Sequence, residues 1–180
     1  MKIIITFIIL LFLPKFLNAE TYYENYGNIV LKGSRFSGET ANTLTDKDFG
    51  VFEINPKLYV EHNNIYLNLE LIIKKISSKR DVFYDIKEAN VNFEKSTWGF
   101  LLGSTEEFWG KTETFNPVDI INSNNYDEGL SKPNKLGEAM IKANREIGIG
   151  DLSIYYLPNF RPNKYPSKKS RLSLPIEVND

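Results

Sequence analysis

The stretch from Ile65 to Ile73 reads IYLNLELII and decides the fold class of this chain. Apolar and polar side chains alternate along it, which is the period-two pattern of a β-strand with two unlike faces. A helix would scatter the same apolar positions around its circumference. The apolar positions are Ile65, Leu67, Leu69, Leu71 and Ile73, and the opposite face carries Tyr66, Asn68 and Glu70.

Similar but weaker alternation surrounds this segment and predicts an all-β chain of about seven antiparallel strands. Pro56 interrupts one of these segments, which predicts a bulge or a locally unpaired position, because proline cannot donate to a ladder. The remaining strands are predicted near Asn28–Phe36, 52–60, 89–94, Trp98–Thr105, 139–144 and 151–156.

The connections between the predicted strands differ in length in a regular way. Short connections at 61–64, 94–97 and 148–150 alternate with longer ones, of which the longest spans 106–138. In an up-and-down sheet, every short turn then lies at one end and every longer loop at the other. This asymmetry is typical of outer-membrane barrels, whose periplasmic turns are short and whose extracellular loops are longer.

The N-terminus has the pattern of a secretory signal peptide. A short positive start is followed by an apolar run from Ile3 to Leu13, and Ala19 is a suitable small residue at a cleavage site. The run would span only about 16 Å as a helix, against a hydrocarbon core of roughly 30 Å. We therefore expect residues 1–19 to be removed on export and residues 20–180 to form the mature chain.

The composition narrows the function classes. The chain has 180 residues, no Cys and one His, and its 22 Lys and Arg nearly balance its 23 Asp and Glu. These numbers leave no disulfide or thiolate site and little room for His-based catalysis. Balanced charge is also unlike that of a nucleic-acid binder. We expect a protein that is not an enzyme, needs no cofactor or metal and does not bind nucleic acid.

Aromatic residues gather near the ends of predicted strands, where a membrane barrel carries its interfacial girdles. Phe93 and Trp98 flank one short turn, and Tyr59 adjoins another. The side chains of Tyr22, Tyr23 and Tyr26 precede the predicted first strand, while Phe83, Trp109 and Tyr156 would mark the opposite edge.

The most distinctive run extends from Trp109 to Asn122 and reads WGKTETFNPVDIIN. It contains a Trp-Gly step and then an Asn-Pro-x-Asp-x-x-Asn loop, and a Pro- and Arg-containing segment follows at Leu157–Pro162. Between Trp98 and Pro175 the chain resembles the first part of porin-like outer-membrane proteins of the alginate-export type and their relatives. The resemblance implies an antiparallel up-and-down transmembrane β-barrel.

Two departures from that family predict an incomplete barrel. Family members are far longer, and outer-membrane barrels usually end in a strand with a terminal aromatic residue, whereas this chain ends in the sequence PIEVND at Pro175–Asp180. We expect an N-terminal portion of a Gram-negative outer-membrane barrel, with a long loop at 106–138 and a terminal loop at 158–180. The implied partners are outer-membrane lipid and lipopolysaccharide, periplasmic chaperones, the barrel-assembly machinery and small polar solutes that diffuse passively.

Candidate pore residues follow from the polar sides of the strands and from the long loop. Porins often fold a long early loop inward to narrow the channel, so charges there would select solutes. The alternative is a solvated outer loop with a capped turn. The strand candidates are Glu53, Lys57, Asn68, Glu70, Asn90 and Asn92, and the loop candidates are Lys111, Glu113 and Asp119.

A second reading of the same strands is a soluble periplasmic β-sandwich or a lipocalin-like binding module. It would require the apolar side of Ile65–Ile73 to be buried against a second sheet or around a ligand. Alternation by itself fits both readings, because it reports two unlike faces and not what covers them.

Overall fold

The protein is described by a computed structural model that covers residues 21–37, 48–77, 81–108, 120–127 and 134–166. The predicted signal peptide at 1–19 lies outside the described residues. Three loop candidates, Lys111, Glu113 and Asp119, also lie outside them, as does the part of the terminal loop beyond Pro166.

Seven strands form one antiparallel sheet in which every neighbour in space is also the neighbouring long strand in sequence. This confirms the all-β, up-and-down arrangement that the alternation predicted. No helix long and apolar enough to cross a membrane occurs in the described ranges. The sheet contains β1 (Thr21–Arg35), β2 (Asp48–His62), β3 (Ile65–Ile76), β4 (Val82–Lys95), β5 (Trp98–Thr105), β8 (Glu138–Glu146) and β9 (Asp151–Tyr156), and β6 (Asn124–Asn125) pairs separately with β7 (Asn134–Lys135).

Several strands extend beyond the predicted segments, most of all β4, which begins at Val82 and not near residue 89. The first strand begins at Thr21, so the expectation that Tyr22, Tyr23 and Tyr26 precede it was wrong. Tyrosine fits a pleated surface well, and this segment pairs residue by residue with the end of β2, from Thr21 opposite His62 onward. The long loop also ends one residue early, because Glu138 begins β8, and it contains the β6–β7 hairpin.

The short turns lie side by side at one end of the sheet, as their spacing predicted. The β2–β3, β4–β5 and β8–β9 turns all follow strands that run in the same direction. Backbone hydrogen bonds join the regions of adjacent turns, from Glu94 N to Asn64 O at 3.0 Å and from Glu146 N to Thr97 O at 3.1 Å. The three longer connections therefore leave from the opposite end.

Pro56 is unpaired on the β3 side of β2, although it lies opposite Gly27 of β1, and it does not form a bulge. The β2–β3 ladder lacks pairs at Asn55 and Pro56, yet it keeps the same register on both sides, from Ile54–Ile73 to Lys57–Glu70. The Asn55 side-chain amide donates to the carbonyl oxygen of Leu71 at 2.9 Å, opposite the proline. A side chain thus supplies the donor that the proline backbone lacks.

The seven strands form an open sheet over the described residues. In these ranges β1 pairs only with β2, and β9 pairs only with β8. β1 therefore presents a free edge along all 15 of its residues. Long free edges offer unpaired donors and acceptors to a further strand.

Gly137 provides a test of the packing where the long loop returns to the sheet. A Cβ atom at this position would overlap the carbonyl oxygens of Ile86 and Lys87, which are backbone atoms that cannot swing away. We expect Gly137→Ala to lower the free energy of unfolding by about 2 kcal/mol, as overpacking does. Urea unfolding followed by circular dichroism measures this change.

Gly33→Ala is the matched control, because a Cβ there meets nothing within 4 Å. It should leave the unfolding midpoint almost unchanged. Equal stability of the two variants would contradict the close approach of Gly137 to β4.

Candidate functional site

The sheet has an apolar face and a polar face, and most of its buried side chains lie on the polar face, including the apolar Val51, Ile72, Ile76 and Met140. The apolar face carries the side chains on the Leu67 side of each strand, and the polar face carries those on the Glu70 side. Each strand exposes at least one large apolar residue on the apolar face, whereas Leu58 on this face is buried. The exposed residues include Ile29, Phe52, Leu67, Val91, Leu102, Ile141 and Ile154.

The polar face is covered by loop segments. Asn122, which is 3% exposed, donates from its side-chain nitrogen to Thr105 O at 2.8 Å and to Leu136 O at 2.9 Å. Its side-chain oxygen accepts the Glu107 N–H at 2.7 Å. One amide therefore joins the end of β5 to both halves of the long loop. The described part of this loop is packed against the protein, and Asn125 and Asp127 in it are also buried.

A chain of ion pairs runs across the polar face from β2 to the end of β5. Lys57 Nζ lies 2.6 Å from one Glu70 oxygen, and Lys87 Nζ lies 3.4 Å from the other. Lys87 Nζ also lies 3.1 Å from Glu106. The four side chains alternate in charge, and their exposed fractions range from 13% to 27%. Such partly buried pairs are screened by salt less than surface pairs are.

A β-bulge places Lys87 in this chain. The β3–β4 register shifts between Glu70 and Leu71, which face Glu88 and Ile86, so Lys87 is the extra residue on β4. A bulged residue leaves the regular ladder and can redirect its side chain. Lys87 therefore reaches the polar face, between two carboxylates that a regular strand would not bridge.

Burial affects the ionisation of Glu106, the last residue in this row of ion pairs. Burial raises the pKa of the Glu106 carboxyl above its usual value, while the ammonium of Lys87 opposes the shift. Glu106 follows the last residue of β5, and its backbone N–H donates to Glu88 Oε1 at 2.9 Å. The ammonium of Lys87 therefore favours the charged form of this carboxyl, whereas burial favours the neutral form.

Three asparagines form a second polar cluster beside the ion pairs. The Asn90 side-chain oxygen accepts from Asn68 at 3.0 Å and from Asn92 at 2.7 Å. The Asn90 nitrogen donates to Ser104 O at 3.1 Å and also contacts Glu88. Asn90 is 4% exposed and uses both ends of its amide, so this cluster holds β3, β4 and β5 together.

Further charges on the polar face are paired in the same way. Glu53 lies 3.0 Å from Lys74, whose side chain is 1% exposed. Toward β9, Glu107 accepts from Lys142 at 2.8 Å and from the Tyr155 hydroxyl at 3.1 Å. These contacts attach the start of the long loop to the last two strands.

All six strand candidates from the sequence share the polar face, in three separate groups: Glu53 with Lys74, Lys57 with Glu70, and Asn68 with Asn90 and Asn92. Sequence reasoning missed Lys87, Glu106 and Glu107. A break in the alternation between Ile86 and Ala89 is the signal that could have identified Lys87, because both are apolar at an odd spacing.

No group of three or more His, Asp or Glu side chains suited to a metal ion occurs among the residues that the structure describes. Comparison with known families, curated proteins and solved structures gives no significant match.

Glu70 provides a test of the ion-pair chain. Glu70→Gln would leave Lys57 and Lys87 as neighbouring positive charges that share no carboxylate between them. We expect the free energy of unfolding to fall by about 2 kcal/mol, because removing one member of a poorly hydrated pair leaves its partner uncompensated. Urea unfolding at low ionic strength measures this loss.

The exposed Glu94 lies on the same sheet in β4 and provides the control substitution Glu94→Gln. That variant should change stability by less than about 0.5 kcal/mol, as surface substitutions usually do. The ion-pair chain would be irrelevant to stability if both variants unfolded at the same urea concentration.

Proposed function

We propose that this chain is the N-terminal part of a porin-like outer-membrane barrel through which small polar solutes diffuse. In this proposal the apolar face meets lipid and the polar face lines a water-filled lumen. A signal peptide would export the chain, and the barrel-assembly machinery would insert it.

The unequal burial of the two faces is the observation that carries the proposal. Exposed apolar side chains occupy one face from β1 to β9, while the buried asparagines and ionised groups lie on the other. Soluble monomers rarely expose a contiguous apolar patch of more than a few hundred Å². Lipid contact accounts for such a face, because the hydrocarbon core excludes polar side chains and accepts apolar ones.

The length of the first four strands, though not of the last three with 8, 9 and 6 residues, also supports a membrane-spanning sheet. The first four strands have 15, 15, 12 and 14 residues. A tilted strand needs about 9–11 residues to cross a bilayer, whereas the average strand of a soluble protein has about 5–6. The grouping of short turns at one end agrees with the same topology.

The polar face suggests how solutes would be selected. The row from Lys57 through Glu70 and Lys87 to Glu106 presents both signs of charge next to one another. Charged rings and inward loops select permeants by field and by size. Such a surface favours small polar or zwitterionic solutes over apolar ones.

The competing proposal is a soluble sandwich or lipocalin-like module. The two proposals differ in which face of the sheet other parts of the protein should cover. A sandwich needs a second sheet over the apolar face. The loop segments around β6 and β7 instead contact the polar face, through Asn122 at the end of β5 and Glu107 on Lys142. This arrangement supports the membrane proposal.

Cell fractionation tests the proposal directly. We expect the protein, expressed with its N-terminal segment in a Gram-negative host, to remain in the outer membrane after washing with urea or carbonate and to need detergent for extraction. Both washes strip peripheral proteins but leave those held by lipid contact. Recovery of the protein in periplasmic shock fluid would contradict the proposal and favour the soluble module.

The two tryptophans of the chain allow a second test. Trp98 lies on the apolar face beside a short turn, stacked on Phe100 at 5.9 Å between ring centroids. In a Trp109→Phe variant, we expect lipids brominated near the headgroup to quench Trp98 fluorescence more than lipids brominated at the chain end. An interfacial aromatic residue has this shallow depth.

Water-soluble iodide is the matched quencher in that experiment. It should act weakly on Trp98 in vesicles and strongly on free tryptophan. Strong iodide quenching together with no effect of brominated lipid would place Trp98 in water and contradict a lipid-facing sheet.

A further inference from the structure

The sheet is interrupted between β4 and the strands that follow it. β4 begins at Val82, but its ladder with β5 extends only from Ala89 to Lys95. The segment 82–88 therefore pairs with β3 on one side and has no β5 partner on the other. Gly137, at the return of the long loop, approaches the carbonyl oxygens of Ile86 and Lys87 at this edge.

A cavity of about 760 Å³ lies beside the interruption. Leu71, Ile73, Tyr84 and Ile86 form apolar parts of its lining. The volume lies within the range of about 300–1,000 Å³ that is usual for sites that bind small molecules. The cavity can therefore hold an organic molecule that has an apolar part.

Asp85, Glu138 and Arg161 are also lining residues of this cavity. Arg161 Nη2 lies 2.7 Å from Asp85 Oδ1, and Arg161 Nη1 donates to Gly137 O at 2.6 Å. The Asp85 side chain is 5% exposed, and Glu138 is 1% exposed. Arg161 is positive and Asp85 and Glu138 are negative when ionised, so these three lining residues then have a net charge of −1.

Three carboxylate oxygens in this group lack hydrogen-bond partners. Asp85 Oδ2 and both side-chain oxygens of Glu138 are buried and have no hydrogen-bond partner within 3.5 Å among the described residues, although the backbone N–H of Arg161 lies near the Glu138 carboxylate. A buried carboxylate without donors is costly, so it either takes up a proton or binds a cation. The apolar lining disfavours a hydrated inorganic ion, because such an ion would lose water without gaining oxygen ligands there.

We propose that this cavity binds an organic cation, with a protonated amine that donates to Glu138 and Asp85 and an apolar portion that packs against Leu71, Ile73 and Ile86. These oxygens are shielded from solvent, so the amine reaches them only when the side chains of the lining shift; it then supplies the donors that they lack and neutralises the net charge. Leu71, Ile73 and Ile86 belong to the apolar face, so the cavity opens toward whatever covers that face, and under the membrane proposal the organic cation enters it from the lipid side.

Three probes of equal chain length test the proposal on the unaltered full chain. Hexylammonium, 1-hexanol and hexanoate share the apolar tail and differ in the charge of the head group. Isothermal titration of the purified protein in a zwitterionic detergent should give the tightest binding for hexylammonium, by about tenfold or more, as expected for a charge-assisted hydrogen bond. Similar affinity for all three probes, or tighter binding of hexanoate, would overturn the proposal.

Charge-neutral variants locate the site. Glu138→Gln should weaken hexylammonium binding about tenfold or more and leave 1-hexanol binding unchanged. Glu146→Gln, at the exposed far end of the same strand, is the control and should bind as the unaltered chain does. Detergent partition is the same for all variants, so it cancels in the comparison.

The competing explanation, a Glu138 that is simply protonated, gives a different result. In that case the unaltered chain would not bind hexylammonium in preference to 1-hexanol, and Glu138→Gln would leave both affinities unchanged. The fractionation result bears only on the membrane proposal, so the failure of one proposal can be distinguished from the failure of the other.

Discussion

The separation of apolar and polar side chains onto opposite faces of one sheet is the constraint on which the rest of the structure depends. Side chains alternate along every strand, so a slip of one residue would move an entire apolar row onto the polar face. The observed registers keep most of the two sets apart, as in the pairs Leu67–Val91 and Leu102–Ile141, although a few apolar residues such as Ile72 and Ile76 are buried on the polar face. The polar groups must then find their hydrogen-bond and ion-pair partners on that face, either among themselves or in the loops that cover it.

Cross-strand contacts on the polar face follow from that confinement. Glu70 accepts from Asn55 and pairs with Lys57, and the bulge at Lys87 extends the same group to Glu106. The covering loops use amides in the same manner, as Asn122 does between Thr105 and Leu136. Buried polar groups are costly when they lack partners, so this shared satisfaction allows asparagines and charges to be buried in the sheet.

The shortening of the sheet after β4 explains where the loops enter. β4 has 14 residues and β5 has 8, so part of β4 extends beyond its neighbour. The backbone there needs other partners, and Ser104 Oγ donates to Ile86 O at 3.4 Å. Gly137 approaches the same edge, and Arg161 pairs with Asp85 beside it. The interruption therefore creates both the anchor for the long loop and the cavity.

The sequence by itself determined the elements that depend on local pattern. Alternation identified the strands and the faces of residues such as Glu70 and Asn90, turn spacing determined which connections share an end, and Pro56 marked the gap in the β2–β3 ladder. Only the tertiary structure decided which charges meet, because Lys87 reaches Glu106 through a bulge and Arg161 reaches Asp85 across 76 positions of the chain. Periodicity records the side to which a residue points, whereas contact between distant residues depends on register and on the paths of loops, which have no period.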